Sequence, residues 1–324
     1  MEPGVAPRLF GAERLDRLTA LADVDPGLVA DDFAAPAAAR ALRAAEVVVS
    51  CWGCPPLDEA VLAAAPRLRA VVHAAGSVRG HVTDACWDRG ILVSSAAWAN
   101  ALPVAEYTVA AVLMANKGLF TVRDDYRRRR ARPDWRGDYP HVGNYGKTVG
   151  VVGASRVGRR VLRLLRPYDL RLLVYDPYLG PGEARRLGAA AADLDELCAA
   201  CDVVSVHAPE LPATRHLVDR RRLALMRDGA TLVNTARAAL VDQDALLAEL
   251  VSGRLHAVLD VTDPEVPPPG SPLYDLPNVV LTPHAAGSLG TELHRLAAAA
   301  LDELARYAAG LPFAHPVHRA DPSA

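Results

Sequence analysis

The chain has 324 residues, enough for two domains with cores of their own, and is 51% hydrophobic and 23% charged, an ordinary globular balance. A net charge of −2 excludes a global field that would draw it to nucleic acid or a membrane surface. No apolar run approaches the roughly 18 residues of a bilayer-spanning helix, and the opening MEPGVAPRLF has no basic stretch followed by an apolar one, so the expected location is cytoplasmic.

The first 45 or so residues carry no motif. From there apolar runs that read as strands alternate with helical patterns: strand 46–50, helix 57–65, strand 70–74, helix 83–88 and strand 91–95. A long apolar helix at 102–118 leads into a polar, arginine-rich segment through about 145. A second series follows: strand 148–152, helix 156–166, strand 171–175, helices 182–187 and 194–199, strand 202–207, helix 219–226. Strand 230–234, helix 242–252 and strands 256–260 and 278–282 complete it, and a last helix at 289–309 comes too late for this sheet and returns to the first domain. The alternation predicts the α/β class with parallel sheets, and strands apolar throughout predict helices on both faces.

Five cysteines stand at 51, 54, 86, 198 and 201, an odd count, and no histidine pair has zinc spacing, so no metal is expected. CAAC (198–201) reads as core packing. CWGC (51–54) lies between a strand and the helical pattern LDEAVLAAA, a place where a helix N-terminus would lower a thiol pKa. The arginine run at 127–130 reads as a solvated helix face or a contact between copies, because aromatic residues suited to base stacking are not interleaved with it.

KTVGVVGASRVGRRV (147–161) has the outline of a dinucleotide-binding turn. Gly153 permits the tight strand-to-helix turn, and Gly158 sits where helix and strand pack closely. Ser155 replaces the middle glycine; its hydroxyl suits a phosphate oxygen, and Arg156 adds charge beside it. About 20 residues on, LLVYDPY ends a strand with Asp176, a carboxylate that accepts from ribose hydroxyls and repels a 2′-phosphate, favouring NAD over NADP. The spacing after Ser155 is one residue too long for the nucleophile elbow of a hydrolase.

Three more stretches place chemistry just beyond strand ends, where parallel sheets bind ligands. LVNTARAALVDQDAL offers Arg237, whose guanidinium suits a planar carboxylate. HAVLDVTDPEVP offers Asp260 and Glu265, and NVVLTPHAAGS offers His284, after Pro283 and before small residues that leave the imidazole open. An arginine, a glutamate and a histidine beside a dinucleotide turn point to one site.

With GVVGASRVGRRV, VVSVHAPELPATRHLV, LVNTARAALVDQDAL, LDVTDPE and NVVLTPHAAGS in chain order, and AAGSVRGHV and NALPVAEYT in the first part, residues 45–310 resemble the D-isomer-specific 2-hydroxyacid dehydrogenases. The resemblance implies two Rossmann-like domains with doubly wound parallel sheets and an active-site cleft between them. The substrate-binding domain would be discontinuous, 1–101 plus 287–324; the NAD-binding domain would be 102–286, with a homodimerisation arm at about 120–145. Arg237, Glu265 and His284 would be the catalytic trio. Asp260 would hold the nicotinamide carboxamide, and His207, Ala208, Thr235 and Ala236 would line the nicotinamide side. Gly153, Ser155, Arg156, Val157, Gly158, Asp176 and Gly287, with His284, would complete the NAD site. Ala75, Gly76, Ser77 and Val78 would offer backbone N–H groups to the substrate carboxylate, with Asn100 at the crossing between domains.

The implied reaction is hydride transfer between NAD(H) and a small 2-oxo or 2-hydroxy acid. His284 would donate the proton, Glu265 would hold the other ring nitrogen and favour the imidazolium, and Arg237 would anchor the carboxylate. Two departures stand out: Ser155 for glycine, and Ala238 for the glycine that often follows the arginine, harmless unless φ is positive there. The alternatives are an NAD(H)-sensing, co-repressor-like protein, disfavoured by an end about 40 residues after His284, and a phosphite-type dehydrogenase. Glu265 where formate dehydrogenases have glutamine argues against formate, and no C-terminal regulatory domain of the phosphoglycerate enzymes is seen. SSAAWANAL lacks an arginine for a second acidic group, so an uncharged side chain on the substrate is expected, with Trp98 as an apolar wall or as core.

Overall fold

The computed structural model describes all residues but 3, 135 and 322–324, which fall within the expected domain and arm spans and lie outside the described residues. In chain order the elements are α1 (Ala6–Leu21), α2 (Pro36–Ala44), β1 (Val47–Ser50), α3 (Glu59–Ala64), β2 (Ala70–His73), α4 (Asp84–Asp88), β3 (Leu92–Ser95) and α5 (Ala97–Asn116). Then come α6 (Leu119–Arg129), β4 (Thr148–Val152), α7 (Arg156–Leu165), β5 (Arg171–Tyr175), α8 (Pro181–Arg186), β6 (Ala190–Ala191), α9 (Leu194–Ala200) and β7 (Val203–Val206). The last are α10 (Arg220–Leu225), β8 (Thr231–Asn234), α11 (Gln243–Val251), β9 (His256–Leu259), β10 (Val279–Leu281), α12 (Leu293–Ala308) and β11 (Pro316–Val317). The chain divides into two compact units, Met1–Ala101 with Ser288–Ala324, and Leu102–Gly287. Among the described residues no helix is long and apolar enough to cross a membrane.

The first unit is built on a sheet of order β1-β2-β3-β11, parallel except for β11. One face buries Val72 and Ala74 against Leu9 and Phe10 of α1 and Leu296, Leu301 and Leu304 of α12. The other buries Val71 and Val93 against Leu57, Leu62 and Leu68. Covering both faces explains strands that are apolar without alternation. Helices α1 and α2 occupy the stretch that showed no motif; α1 bends at Gly11, where φ is +53°. Trp98 stacks on His315 with ring centroids 4.8 Å apart, so it is packed as part of this unit.

The CWGC expectation is corrected here. Residues 51–54 form a turn rather than the start of a helix, since α3 begins at Glu59 on an Asp58 cap. Cys51 is buried and its thiol donates to the Ala74 carbonyl; burial pushes it up to about 12, and burial raises Cys54 as well. Cys198 and Cys201 are buried in the second unit's core, and all five thiols are free.

Two buried histidines give the first unit a pH dependence. Burial lowers His73 to about 3, with the neighbouring His81 adding to the effect, and burial lowers His81 to about 4. In the unfolded chain both titrate near the ordinary value of about 6.5. Below that pH the unfolded chain takes up protons that the folded chain refuses, so the native state is at full stability above about 6.5 and loses it as pH falls towards the folded values. Two such groups are expected to cost about 4 kcal/mol between pH 7.5 and pH 5, an upper estimate at about 1.4 kcal/mol per group per pH unit. Urea midpoints at the two pH values check this; equal midpoints would contradict it.

The second unit holds seven parallel strands in the order β10-β9-β8-β7-β4-β5-β6. The order reverses between β4 and β7, which is the doubly wound arrangement, and helices bury separate cores on its two faces. Because every strand is parallel, the residues after β4, β5, β7, β8, β9 and β10 all lie along one carboxyl edge. Helix α5 starts at Ala97, five residues before the expected start, because Pro103 is accommodated inside it rather than at its first turn. Helix α6 carries the start of the arginine-rich segment, with Arg127, Arg128 and Arg129 in its last turn.

Candidate active site

The turn after β4 is built for close approach of a ligand to backbone. Gly153 has φ +98°, and a Cβ there would lie 2.5 Å from the Ala208 nitrogen. A Cβ on Gly158 would overlap the Gly153 carbonyl oxygen, so both glycines are required by geometry. Ser155 has φ −64° and ψ −178°, an extended backbone that needs no glycine. Its Oγ accepts from Gly158 N as the N-cap of α7, which leaves the hydroxyl proton free to donate. Arg156 opens the helix, exposed, with Val157 behind it. Asp176, past β5, accepts from Ala154 N at 2.7 Å and Tyr178 N at 2.9 Å, which ties the acidic residue to the glycine turn. His207 is 3% exposed, with Nε2 2.8 Å from Ser205 Oγ and a buried Nδ1 without a partner. A helix N-terminus, a cradle that a Cβ would fill and an orphaned buried nitrogen beside it fit a pyrophosphate-linked dinucleotide.

Further along the same edge stand the acid–base candidates. His284 Nδ1 lies 2.6 Å from Glu265 Oε1, and the two side chains are 46% and 65% exposed. His284 has φ +54°, a left-handed conformation that a non-glycine residue adopts at a cost. Its N–H donates to the carbonyls of Asp260 (2.9 Å) and Thr282 (3.0 Å), which hold it there. Arg237, after β8, donates from Nη1 to Ala236 O at 2.6 Å, and its Nε stands 4.0 Å from Glu210 Oε2. Both partners are half exposed, so this pair is weak and easily exchanged. Ala238 is not among the residues with positive φ, so alanine in place of glycine is unstrained there.

Asp260 is 1% exposed and its carboxylate accepts three internal bonds. Thr282 Oγ1 (2.6 Å) and Ala285 N (2.7 Å) donate to one oxygen, and Ala286 N (2.9 Å) donates to the other. The carboxylate is the floor of the loop that carries His284. Tyr107 of α5 extends this network, with its hydroxyl 2.8 Å from Thr282 Oγ1.

Other fasteners had no signal in the sequence. Asn234 Nδ2 donates to Arg237 O (2.9 Å) and its Oδ1 accepts from Ala236 N (3.1 Å), which fixes the arginine loop. Thr262 Oγ1 donates to the carbonyls of Pro264 and Glu265, and Gln243 brackets Asp263 with two hydrogen bonds. Thr235 is buried, its hydroxyl 2.8 Å from Thr108 Oγ1, which leaves its backbone as the part able to serve a ligand.

The remaining expected residues lie in the first unit. Ala75 and Val78 are buried, while Gly76 and Ser77 are partly exposed just past the carboxyl end of β2. A Cβ on Gly76 would lie 3.4 Å from Asn100 Nδ2. Asn100 Oδ1 accepts from Ser288 N at 2.9 Å, which joins the two points where the chain leaves and re-enters this unit. Gly287 is the last residue of the second unit, one residue beyond the expected boundary.

A doubly wound sheet with this glycine turn and this carboxyl edge defines an NAD-binding α/β domain. Residues 109–286 match the family model described as D-isomer specific 2-hydroxyacid dehydrogenase, NAD binding domain, and the chain belongs to that family. A D-3-phosphoglycerate dehydrogenase of Mycobacterium bovis is 37% identical over 233 residues, 72% of this chain and 43% of that protein, so this chain spans less than half of that relative's length. A glyoxylate reductase of Korarchaeum cryptofilum is 33% identical over 261 residues, 79% of this chain and 77% of that protein. Among solved structures, a D-lactate dehydrogenase of Aquifex aeolicus complexed with NAD and lactic acid is similar, with a TM-score of 0.69 and 26% identity; 84% of this chain and 85% of that one are covered. The cofactor is NAD.

Proposed function

We propose that this chain is an NAD-dependent D-2-hydroxyacid dehydrogenase that interconverts a small 2-oxo acid and its 2-hydroxy acid. The observation that carries the reading is the 2.6 Å pair of His284 and Glu265 on a loop held left-handed at the carboxyl edge of an NAD-binding sheet. When bound, NADH supplies hydride to the ketone carbon. His284 donates the proton to the ketone oxygen, and takes it back from the hydroxyl in the oxidising direction. Glu265 holds Nδ1 and fixes the ring's orientation. Arg237 exchanges its weak contact with Glu210 for the substrate carboxylate and polarises the carbonyl.

In the same reading the first unit serves the substrate: backbone N–H groups of Ala75, Gly76, Ser77 and Val78 take the carboxylate, and Asn100 steadies their approach. Gly153, Ser155, Arg156, Val157 and Gly158 take the pyrophosphate, and Asp176 takes the adenosine ribose in preference to a 2′-phosphate. His207, Ala208, Thr235, Ala236 and Gly287 line the nicotinamide side, and Asp260, beneath the loop, holds the nicotinamide carboxamide. Helix α6, with Leu119 45% and Tyr126 60% exposed, serves as a homodimer arm. Free thiols suit the reducing cytoplasm. The substrate carries a small uncharged side chain. NADH oxidation followed at 340 nm against glyoxylate, pyruvate, hydroxypyruvate, phenylpyruvate and branched-chain 2-oxo acids tests this. Turnover of at least one is expected; none, in a protein that binds NADH, would overturn it.

A further inference from the structure

Ser50 and His73 are register partners at the last positions of β1 and β2, on the carboxyl edge of the first unit's sheet. The chain leaves His73, makes the loop of residues 74–80, and returns with His81. The two imidazoles meet at the base of that loop with ring centroids 4.3 Å apart and planes inclined by 37°. Ser50 Oγ lies 2.9 Å from His73 Nδ1 and 3.4 Å from His81 Nε2. All three residues are at most 5% exposed. The returning chain is pinned again: His81 N donates to Val78 O, and Leu57 N donates to His81 O.

The chemistry gives this cluster a direction. A hydroxyl has one proton, so Ser50 donates to one ring nitrogen and accepts from an N–H of the other. His73 Nε2 is buried without a partner of hydrogen-bonding geometry. Because both rings share the one hydroxyl, His73 at the start of loop 74–80 and His81 at its end are tied to each other through Ser50 of the neighbouring strand. Apolar side chains would fill this space without the desolvation cost of two imidazoles.

We propose that Ser50, His73 and His81 are positioning residues, a buried clamp that holds the two ends of loop 74–80 together and thereby sets the affinity for the substrate carboxylate. The inference rests on the reading of residues 75–78 as the carboxylate site. The test uses the full chain with NADH, glyoxylate as the probe, and the variants Ser50→Ala, His73→Phe and His73→Gln. Ser50→Ala removes the shared hydroxyl at little cost in packing, so it remains informative should a ring replacement fail to fold.

For Ser50→Ala and His73→Phe the KM for glyoxylate is expected to rise about tenfold, the equivalent of re-ordering one backbone residue on binding, with kcat and NADH affinity within about twofold of wild type. His73→Gln, whose amide still donates and accepts, should recover part of the KM. Amide hydrogen exchange across 74–82 should quicken in the first two variants. Unchanged exchange would overturn the clamp itself. Faster exchange with an unchanged KM would overturn the carboxylate reading of the loop and the affinity role with it. Equal losses in kcat, KM and NADH binding would mark a general structural defect and also overturn the proposal.

Discussion

His284→Asn is expected to lower kcat for 2-oxo acid reduction by about 10²- to 10⁴-fold, the usual range for a lost general acid, with NADH affinity within about twofold of wild type. Asparagine is the discriminating replacement because it tolerates the left-handed φ of +54° found at this position. The backbone bonds from residue 284 to Asp260 and Thr282 do not involve the imidazole and should survive. What disappears is a ring that offers one nitrogen to Glu265 at 2.6 Å and keeps the other for proton exchange. Steady-state kinetics with a fluorescence titration of NADH checks both halves. A variant that turns over at the wild-type rate would remove His284 from the chemistry.

Asp260→Ala should be damaging although the side chain meets no solvent. Two backbone N–H groups, of Ala285 and Ala286, and the Thr282 hydroxyl converge on that carboxylate within 2.9 Å. Removing it strands buried donors, each costing about 1–3 kcal/mol, so the unfolding free energy is expected to fall by about 3–5 kcal/mol. The loop that keeps His284 left-handed loses its floor at the same time, so kcat should fall by at least about tenfold under conditions where the variant is still folded. Denaturant unfolding and kinetics on the same sample provide the check. Wild-type stability would mean that the carboxylate does not anchor the loop.

The sequence made the frame legible wherever a single local rule governs it. Nine apolar runs bounded by turns correspond to β1 to β5 and β7 to β10. The strands β6 and β11, two residues each, are too short to carry a period. Helix α1 was hidden because Gly11 interrupts it and only Leu9, Phe10 and Leu18 are buried along it. Gly153, Asp176, Arg237, Glu265 and His284 were legible because each follows a strand, and parallel strands put their carboxyl ends on one edge. The parts that hold them were not: Asn234, Thr262, Gln243 and Tyr107 act through one or two hydrogen bonds each, to backbone or to residues remote in sequence. Ser50, His73 and His81 have no periodic relation and meet only because β1 and β2 pair in register. At Cys51 the local rule misled, since burial outweighs any helix terminus there.

The proposed chemistry passes a hydride between the nicotinamide and C2 of a 2-oxo acid. The direct measurement is reduction of glyoxylate, or of the best substrate in the panel, with NADH deuterated at the transferring position of C4. The expected product is a 2-hydroxy acid carrying one deuterium at C2, formed by the wild-type protein and lost with His284→Asn. Product without deuterium at C2, or deuterated product formed at an undiminished rate by the variant, would contradict it.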